Sequence, residues 1–305
     1  MEYITSSDFH FKDTAVALGK FEGIHRGHQL LMDEVKKQEL HGLRSVVFTF
    51  DRPTRLTLTG DTEYKQIYTK KERREILEKR GIDILIEHPF TKEFAALTPD
   101  RFIREVLVEK VGAKVIVVGT DFHFGKNRSG SITDLEKLEE ECGYHLIVVE
   151  KLQLNGKDIS STRIRASLEK GAMEEAKALL GRNYSVSGEI LHGNALGRTI
   201  QVPTINQQVP SFKLLPPNGV YASITQIDGK EYGGVTNIGT KPTVSTDQVI
   251  GVETNLFDYE EDAYGKHIKV KLLHFIRPEM KFESIEALSK QMESDAQFSK
   301  SMLML

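Results

Sequence analysis

The chain has 305 residues, with 41 Lys and Arg against 44 Asp and Glu, 39% hydrophobic residues, one cysteine and no tryptophan. That length exceeds the roughly 250–300 residues at which single cores stop growing, so about two domains are expected. The near-balanced charge excludes a general attraction for nucleic acid or anionic membranes. A single cysteine excludes an intrachain disulfide. The lack of a long apolar run predicts a cytoplasmic protein.

In the first half, short apolar runs alternate with charged segments of helical period. The runs predict strands and the segments predict helices, in the order β-α-β-α-β-α-β-α-β. This alternation predicts a mostly parallel sheet covered on both faces, with ligands at the carboxyl ends of its strands. The predicted strands are 14–18, 45–50, 82–86, 114–118 and 145–149, and the predicted helices are 29–40, 69–80, 99–111 and 133–141.

Two helical pieces follow over 160–182, broken at Lys170-Gly171, where the glycine can supply a left-handed cap. Beyond them, alternating runs and turns such as Asp228-Gly229 predict an antiparallel barrel or sandwich. Its predicted strands are 185–191, 199–209, 219–227, 231–238, 251–257 and 267–275, and a helix is predicted over 283–295.

The strongest local motif is GKFEGIHRGH at 19–28, which joins the first predicted strand to the first predicted helix. Glycines let a backbone approach phosphate closely, and a helix N-terminus offers unpaired N–H groups to an anion. The imidazoles of His25 and His28 can face the same phosphate oxygens. The motif therefore favours nucleotidyl transfer, although two histidines here can also simply cap the helix. Its further candidate ATP-binding residues are Gly19, Phe21, Gly23 and Gly27.

A second motif, ISSTRIR at 159–165, stands where a helix is predicted to begin. Arginines in a first helical turn oppose the helix dipole unless an anion binds there, and guanidinium groups suit phosphate oxygens. The alternative is ordinary Ser/Thr capping beside solvated arginines. Together with the histidine motif, the phosphate interpretation is favoured, and its candidate residues are Ser160, Ser161, Thr162 and Arg163.

The segments 21–29, 118–125 and 159–165 resemble the adenylyltransferase half of the bacterial bifunctional riboflavin kinase/FMN adenylyltransferases. The resemblance to the family's flavokinase half lies in 191–198, 203–206, 219–221, 237–243, Glu253 and Tyr264-Gly265. It implies an α/β nucleotidyltransferase domain with a Rossmann-like parallel sheet over 1–158 and a helical linker over 159–182. An antiparallel β-barrel flavokinase domain with a C-terminal helix is implied over 183–305.

For adenylyl transfer, the resemblance implies that His25 and His28 contact the ATP phosphates. It places Asp121 and Phe124 on a loop beside nucleotide and flavin. It also implies that Ser160, Ser161 and Arg163 help to bind the departing pyrophosphate.

For the kinase, the resemblance implies that Thr204 and Asn206 organise Mg²⁺ and the ATP phosphates. It implies that Glu253 activates the ribityl 5′-hydroxyl, a role that suits a carboxylate near an attacking hydroxyl. The nucleotide loop is implied to contain Gly193, Gly197 and Arg198.

The implied function is FAD biosynthesis with riboflavin, FMN and ATP as ligands and Mg²⁺ as cofactor. Riboflavin is phosphorylated to FMN, which is then adenylylated to FAD with release of pyrophosphate. Departures from the family pattern include Gln201 before the PTIN segment, Ile205 within it, and Asn255 where the family often has His. They keep open an FMN adenylyltransferase with an impaired kinase module, and a flavin-sensing regulator without turnover is a further alternative.

Overall fold

A computed structural model describes residues 1–61, 63–191, 204–241 and 249–304. Contacts between residues divide the chain into two compact units, Met1–Ser160 and Ser161–Leu305. The predicted nucleotide-loop residues Gly193, Gly197 and Arg198 lie outside the described residues, as does Gln201.

The first unit contains a six-stranded sheet in which all neighbouring strands are parallel, which confirms the predicted sheet type. The sequence does not predict the edge strand β1, because its three residues are too few to show a pattern. The order is β1-β4-β3-β2-β5-β6, with β1 (Glu2–Ile4), β2 (Thr14–Leu18), β3 (Arg44–Phe50), β4 (Ile84–His88), β5 (Ala113–Gly119) and β6 (His145–Val149).

The chain reverses its direction across this sheet between β2 and β5. From β2 it proceeds outward through β3 and β4, and it then returns to place β5 on the other side of β2. Ligands of open α/β sheets bind outside the carboxyl ends of the strands at such a switch point. The loops that follow Leu18 and Gly119 therefore flank the expected site.

Helices cover both faces of the sheet, as predicted. Val16 of β2 lies in the buried cluster that contains Phe102, whereas its neighbour Ala17 lies in the cluster that contains Met32. Adjacent strand residues point to opposite faces, so the two clusters are separate layers. The helices are α1 (Arg26–Lys37), α2 (Thr54–Thr59), α3 (Lys70–Lys79), α4 (Lys92–Ala95), α5 (Pro99–Arg101), which continues as a π-helix over Phe102–Lys110, and α6 (Ile132–Cys142). A hairpin of β7 (Gln153–Leu154) and β8 (Lys157–Asp158) ends the unit.

The second unit begins with two helices, α7 (Ser161–Glu169) and α8 (Met173–Leu180), separated at Gly171 with φ +69°. The strands that follow form a closed antiparallel barrel in the order β10-β13-β12-β11-β14-β9. Of the two architectures predicted from the sequence, the structure therefore confirms the antiparallel barrel and not the sandwich. The strands are β9 (Tyr184–Leu191), β10 (Thr204–Gln207), β11 (Gly219–Ile227), β12 (Lys230–Lys241), β13 (Val249–Leu256) and β14 (His267–Arg277).

The C-terminal helix α9 (Ile285–Leu303) packs on the barrel through a buried ion pair. Asp295 is 3% exposed, and its carboxylate accepts from Nη2 of Arg277 at 2.7 Å and from Nε at 3.1 Å. Gln291 donates to the same carboxylate at 2.9 Å. None of the helices in the described ranges is long and apolar enough to cross a membrane.

Asp295→Asn is expected to lower the free energy of unfolding of the barrel unit by about 3 kcal/mol, because breaking a buried pair leaves the Arg277 charge uncompensated. Chemical denaturation followed by circular dichroism measures the loss. The control is Glu293→Gln, an exposed carboxylate on the same helix turn. Equal stability of the two variants would contradict the assignment of the ion pair as the anchor of α9.

Candidate functional site

The segment 19–28 lies at the carboxyl end of β2, on one side of the switch point. Its turn places Phe21 and Ile24 in the left-handed region, with φ of 45° and 42°, and both side chains are buried. A Cβ on Gly19 would lie 2.9 Å from the Phe21 ring, so only glycine lets that ring pack against the strand end. Gly23 lies in the same turn.

His25 is the N-cap of α1: its Nδ1 accepts a hydrogen bond from the backbone N–H of His28 at 3.2 Å. An Nδ1 that accepts carries no proton, so in the neutral ring the proton is on Nε2, which is then a donor. The two imidazoles stack with centroids 3.6 Å apart. A Cβ on Gly27 would meet the His25 ring at 3.3 Å, so this glycine leaves room for the stacked ring.

Glu22 connects the motif to the segment that precedes α3. Tyr64 donates its hydroxyl to Glu22 Oε2 at 2.9 Å, and the backbone N–H of Ile67 donates to Oε1 at 3.3 Å. The sequence alone does not predict either contact. The only available signal is the position of Glu22 inside the motif, because the partners lie far along the chain.

The loop after β5 lies on the other side of the switch point and contains Asp121. Lys151, which follows β6, bridges the carboxylates of Asp121 at 3.1 Å and Asp158 at 3.2 Å, and these hydrogen bonds raise the Lys151 pKa. Phe124 lies on the same loop, and its ring is buried against Phe102, with ring centroids 5.4 Å apart. Asp121 is thus held at the edge of the sheet, whereas Phe124 packs in the core.

His88 is a buried titratable group at the end of β4, and no motif in the sequence predicts its role. It is 5% exposed, and its ring lies 4.2 Å from that of Phe94 and 5.7 Å from that of Phe48. Burial lowers its pKa, and the charge of Lys110 adds to this effect. The Pro89 carbonyl, 2.9 Å from Nδ1, and the charge of Asp51 oppose the shift.

The lowered His88 pKa predicts acid destabilisation of the first unit. As pH falls through about 6.5, the unfolded chain takes up a proton that the folded ring resists, so the free energy of unfolding decreases. The slope from one such proton is at most about 1.4 kcal/mol per pH unit. His88→Phe is expected to reduce this slope between pH 7 and 5 in denaturation curves. An unchanged slope would contradict a neutral buried His88.

The ISSTRIR motif lies at the end of the first unit and the start of α7. Ser160 precedes the helix, and Ser161 and Thr162 are its first residues. Arg163 points to α8, where Glu175 Oε1 accepts from its Nη2 at 2.9 Å and from its Nε at 3.2 Å.

The predicted kinase residues come together by strand register. Asn206 on β10 pairs directly with Glu253 on β13, which pairs on its other side with Asn237 on β12. Thr204 pairs with Asn255. Directly opposed residues, and residues two apart on a strand, share one face of a sheet, so these five residues share a face.

That face is the outer side of the barrel. The intervening residues Thr236 and Thr254 are buried, and their hydroxyl groups are 2.8 Å apart inside the barrel. Asn237 and Asn255 are neighbours of the predicted site that the resemblance does not assign a role. Among the residues that the structure describes, no group of three or more His, Cys, Asp or Glu side chains could hold a metal ion.

Fold and site define a two-module protein: a parallel α/β nucleotidyltransferase-like unit with histidines at its switch point, followed by a closed barrel with a carboxylate-bearing outer face. Comparisons with known families agree with this class. A family model described as FAD synthetase matches residues 8–163, and one described as riboflavin kinase matches residues 180–303. The chain belongs to the family of bifunctional riboflavin kinase/FMN adenylyltransferases.

Two relatives with that name illustrate the similarity. The protein of Listeria monocytogenes is 34% identical over 296 residues, which cover 96% of this chain and 94% of the relative. The protein of Bacillus subtilis is 36% identical, and the match covers 93% of this chain and 90% of the relative. A crystal structure described as a macrolide-efflux protein from Streptococcus pneumoniae superposes with a TM-score of 0.90 at 30% identity, covering 98% of this chain and 99% of that one.

Proposed function

We propose that this chain makes FAD in two ATP-dependent steps. The second unit phosphorylates riboflavin to FMN, and the first unit adenylylates FMN to FAD and releases pyrophosphate. The observation that carries the proposal is that one chain combines both ordered motif sets. The Listeria and Bacillus relatives, both named for the two activities, match more than nine tenths of this chain. A cytoplasmic location is part of the same proposal.

In the adenylyltransferase step, a phosphate oxygen of FMN bonds to the α-phosphorus of ATP, and the bond to the β-bridging oxygen breaks. The protein's task is to position these groups and stabilise the developing charge. His25, whose Nδ1 is occupied as the helix cap, offers Nε2–H to a phosphate oxygen. His28 stacks on it at the same helix N-terminus, where the helix dipole also favours an anion.

Two further cationic groups support the proposal that the ATP phosphates bind at the switch point. Lys20 follows β2, and Arg128 lies in the loop after β5. Burial and the charge of Arg128 lower the Lys20 pKa, so two positive groups are close together where triphosphate is proposed to bind. We assign Ser160, Ser161, Thr162 and Arg163 to the departing pyrophosphate, and Asp121 to the loop beside nucleotide and flavin.

In the kinase step, the ribityl 5′-oxygen bonds to the γ-phosphorus of ATP, and ADP leaves with the bridging oxygen. Glu253 accepts the proton of the 5′-hydroxyl and orients the attacking oxygen. The pairing of Glu253 with Asn206 supports this role, because it places the base beside the residue assigned to the phosphates.

Thr204 and Asn206 also fit a magnesium site. Mg²⁺ prefers oxygen ligands, and it takes few from protein while waters and substrate phosphates complete its shell. A hydroxyl and an amide oxygen on one face of β10 meet that requirement. A bound Mg²⁺ would neutralise charge on the ATP phosphates.

The test is to incubate purified protein with ATP and Mg²⁺, once with riboflavin and once with FMN, and to separate the flavins by chromatography. FMN and FAD from riboflavin would support both activities. FAD from added FMN alone would favour the narrower adenylyltransferase, for which Asn255 opposite Thr204 is the structural argument. Bound flavin without ATP consumption would favour the sensor and overturn the proposal.

A further inference from the structure

Two charged residues lie at matching positions beyond the carboxyl ends of the neighbouring strands β5 and β6. Gly119, the last residue of β5, pairs with Val149, the last residue of β6. Asp121 and Lys151 each follow two positions later. Parallel strands that end together deliver the residues that follow them to the same edge of the sheet. The register therefore explains why these two side chains meet, although they are far apart in the chain.

The Lys151 ammonium lies between two carboxylates. Its Nζ is 3.1 Å from Oδ2 of Asp121 and 3.2 Å from Oδ2 of Asp158 in β8. These hydrogen bonds raise the Lys151 pKa, so the group is an ammonium at neutral pH. Gln153 in β7 donates to Oδ1 of Asp158 at 3.0 Å. Asp158 is therefore fixed within the β7–β8 hairpin, and it anchors Lys151 beside the loop that contains Asp121.

Lys151 contacts one carboxylate oxygen of Asp121, and the other oxygen lies at the end of β5. A Cβ added to Gly119 would be 3.6 Å from this second oxygen, Oδ1. Because Gly119 is the last residue of β5, Oδ1 lies at the carboxyl edge of the sheet, where ligands of open α/β sheets bind. A carboxylate only accepts hydrogen bonds, so the ligand groups that suit Oδ1 are N–H and O–H donors.

The charge of Asp121 would oppose the proposed substrates if nothing offset it, because ATP and FMN both carry negative phosphates. Two carboxylates and one ammonium leave one net negative charge at this edge, against two without Lys151. The side chain of Asp121 is 70% exposed and that of Lys151 is 42% exposed. Exposed ion pairs contribute little to stability. The effect of this pair is therefore expected in ligand binding and not in folding.

We propose that Lys151 is a positioning residue for adenylyl transfer, whose ammonium orients the Asp121 carboxylate and offsets its charge beside two anionic substrates. The inference rests on the proposed function, from which it takes the place of Asp121 beside nucleotide and flavin. Lys151 acts through Asp121 and does not itself bind a phosphate. The carboxylate then accepts a hydrogen bond from an uncharged donor of a substrate while its repulsion of the phosphates is reduced.

The test measures FMN adenylylation by Lys151→Gln, which removes the charge and keeps a polar side chain. At low ionic strength the KM values for FMN and ATP are expected to rise about fivefold, the upper range for an exposed charge pair. In about 0.5 M salt they are expected to approach those of the unmodified chain in the same buffer, because salt screens the repulsion. Lys151→Arg, which keeps the charge, is expected to change them by less than about twofold.

Lys157 supplies a matched control, because it is an exposed lysine on the same hairpin. Lys157→Gln makes the same chemical change and is expected to leave both KM values unchanged. Thermal unfolding of Lys151→Gln and Lys157→Gln is expected to be the same, since neither lysine is buried. Riboflavin phosphorylation by each variant should also stay unchanged, because that reaction belongs to the other unit.

A double-mutant cycle separates action through Asp121 from direct binding of phosphate. In an Asp121→Asn background the carboxylate charge is absent, so Lys151→Gln is expected to change the KM values by less than about twofold. Equal increases in both backgrounds would show that Lys151 binds phosphate itself and would overturn the inference, as would unchanged KM values in Lys151→Gln alone. Failure of the unmodified chain to form FAD from FMN is a separate result, which would overturn the proposed function and this inference with it.

Discussion

Glu253→Gln is expected to lower the rate of riboflavin phosphorylation by about a thousandfold. A general base in this position contributes roughly 10²–10⁴ in rate, and glutamine can orient the ribityl hydroxyl but cannot accept its proton. Adenylylation of added FMN by the same variant is expected to stay within twofold, because that reaction belongs to the other unit. The measurement is FMN formation under saturating ATP and Mg²⁺, with flavins separated by chromatography.

Glu189→Gln is a suitable control because Glu189 is an exposed barrel carboxylate on β9. It is expected to leave both reactions unchanged. Phosphorylation by Glu253→Gln within threefold of the unmodified rate would exclude Glu253 as the base.

The sheet and barrel were predictable because their signals are local. Apolar runs at 14–18 and 145–149 coincide with β2 and β6, and the turn at Asp228-Gly229 has the positive φ values, 48° and 81°, of a tight hairpin. The order of strands in the sheet is not local. It depends on which face each crossover helix covers, and no window of sequence contains that information.

Some strand and helix boundaries in the structure differ from the predicted ones, and the differences have physical reasons. The predicted strand 82–86 is observed at Ile84–His88 because strand pairing with β3 starts at the Val46–Ile84 pair, and hydrophobicity alone does not reveal register. The predicted helix 99–111 changes to π geometry after Arg101, as the hydrogen bond from Val111 to the carbonyl of Val106 shows. Apolar spacing does not distinguish α from π geometry over so short a segment.

The candidate site was predictable as a set of residues but not as a set of contacts. Motif spacing identifies His25 and Arg163, yet the Nδ1 acceptor role of His25 and the Glu175 partner of Arg163 require the folded chain. Asn255 is a second example. In the sequence it is only a departure from the family pattern, whereas the folded chain places it directly opposite Thr204. Contacts between residues that are far apart in the chain cannot be predicted from motif spacing in a single sequence.

The second large effect is expected for substitution of His25, and its contacts determine which substitution is informative. His25 is a helix cap, and the cap interpretation and the catalytic interpretation make different predictions for His25→Asn. Asparagine is among the best N-cap residues, so α1 should keep its cap and the first unit its stability. The imidazole Nε2–H is lost, and with it a donor to a phosphate oxygen in the transition state. Loss of one such donor costs about 10²–10³ in rate.

We therefore expect His25→Asn to lower FAD formation from FMN by about 300-fold, while riboflavin phosphorylation and thermal unfolding stay unchanged. His41→Asn, an exposed histidine beyond the other end of α1, is the control and should change neither reaction. His25→Ala should lose both the rate and about 1 kcal/mol of stability, because alanine cannot cap. If His25→Asn retains full adenylyltransferase activity, His25 is a cap alone, and phosphate binding at this helix depends on His28 and the backbone N–H groups.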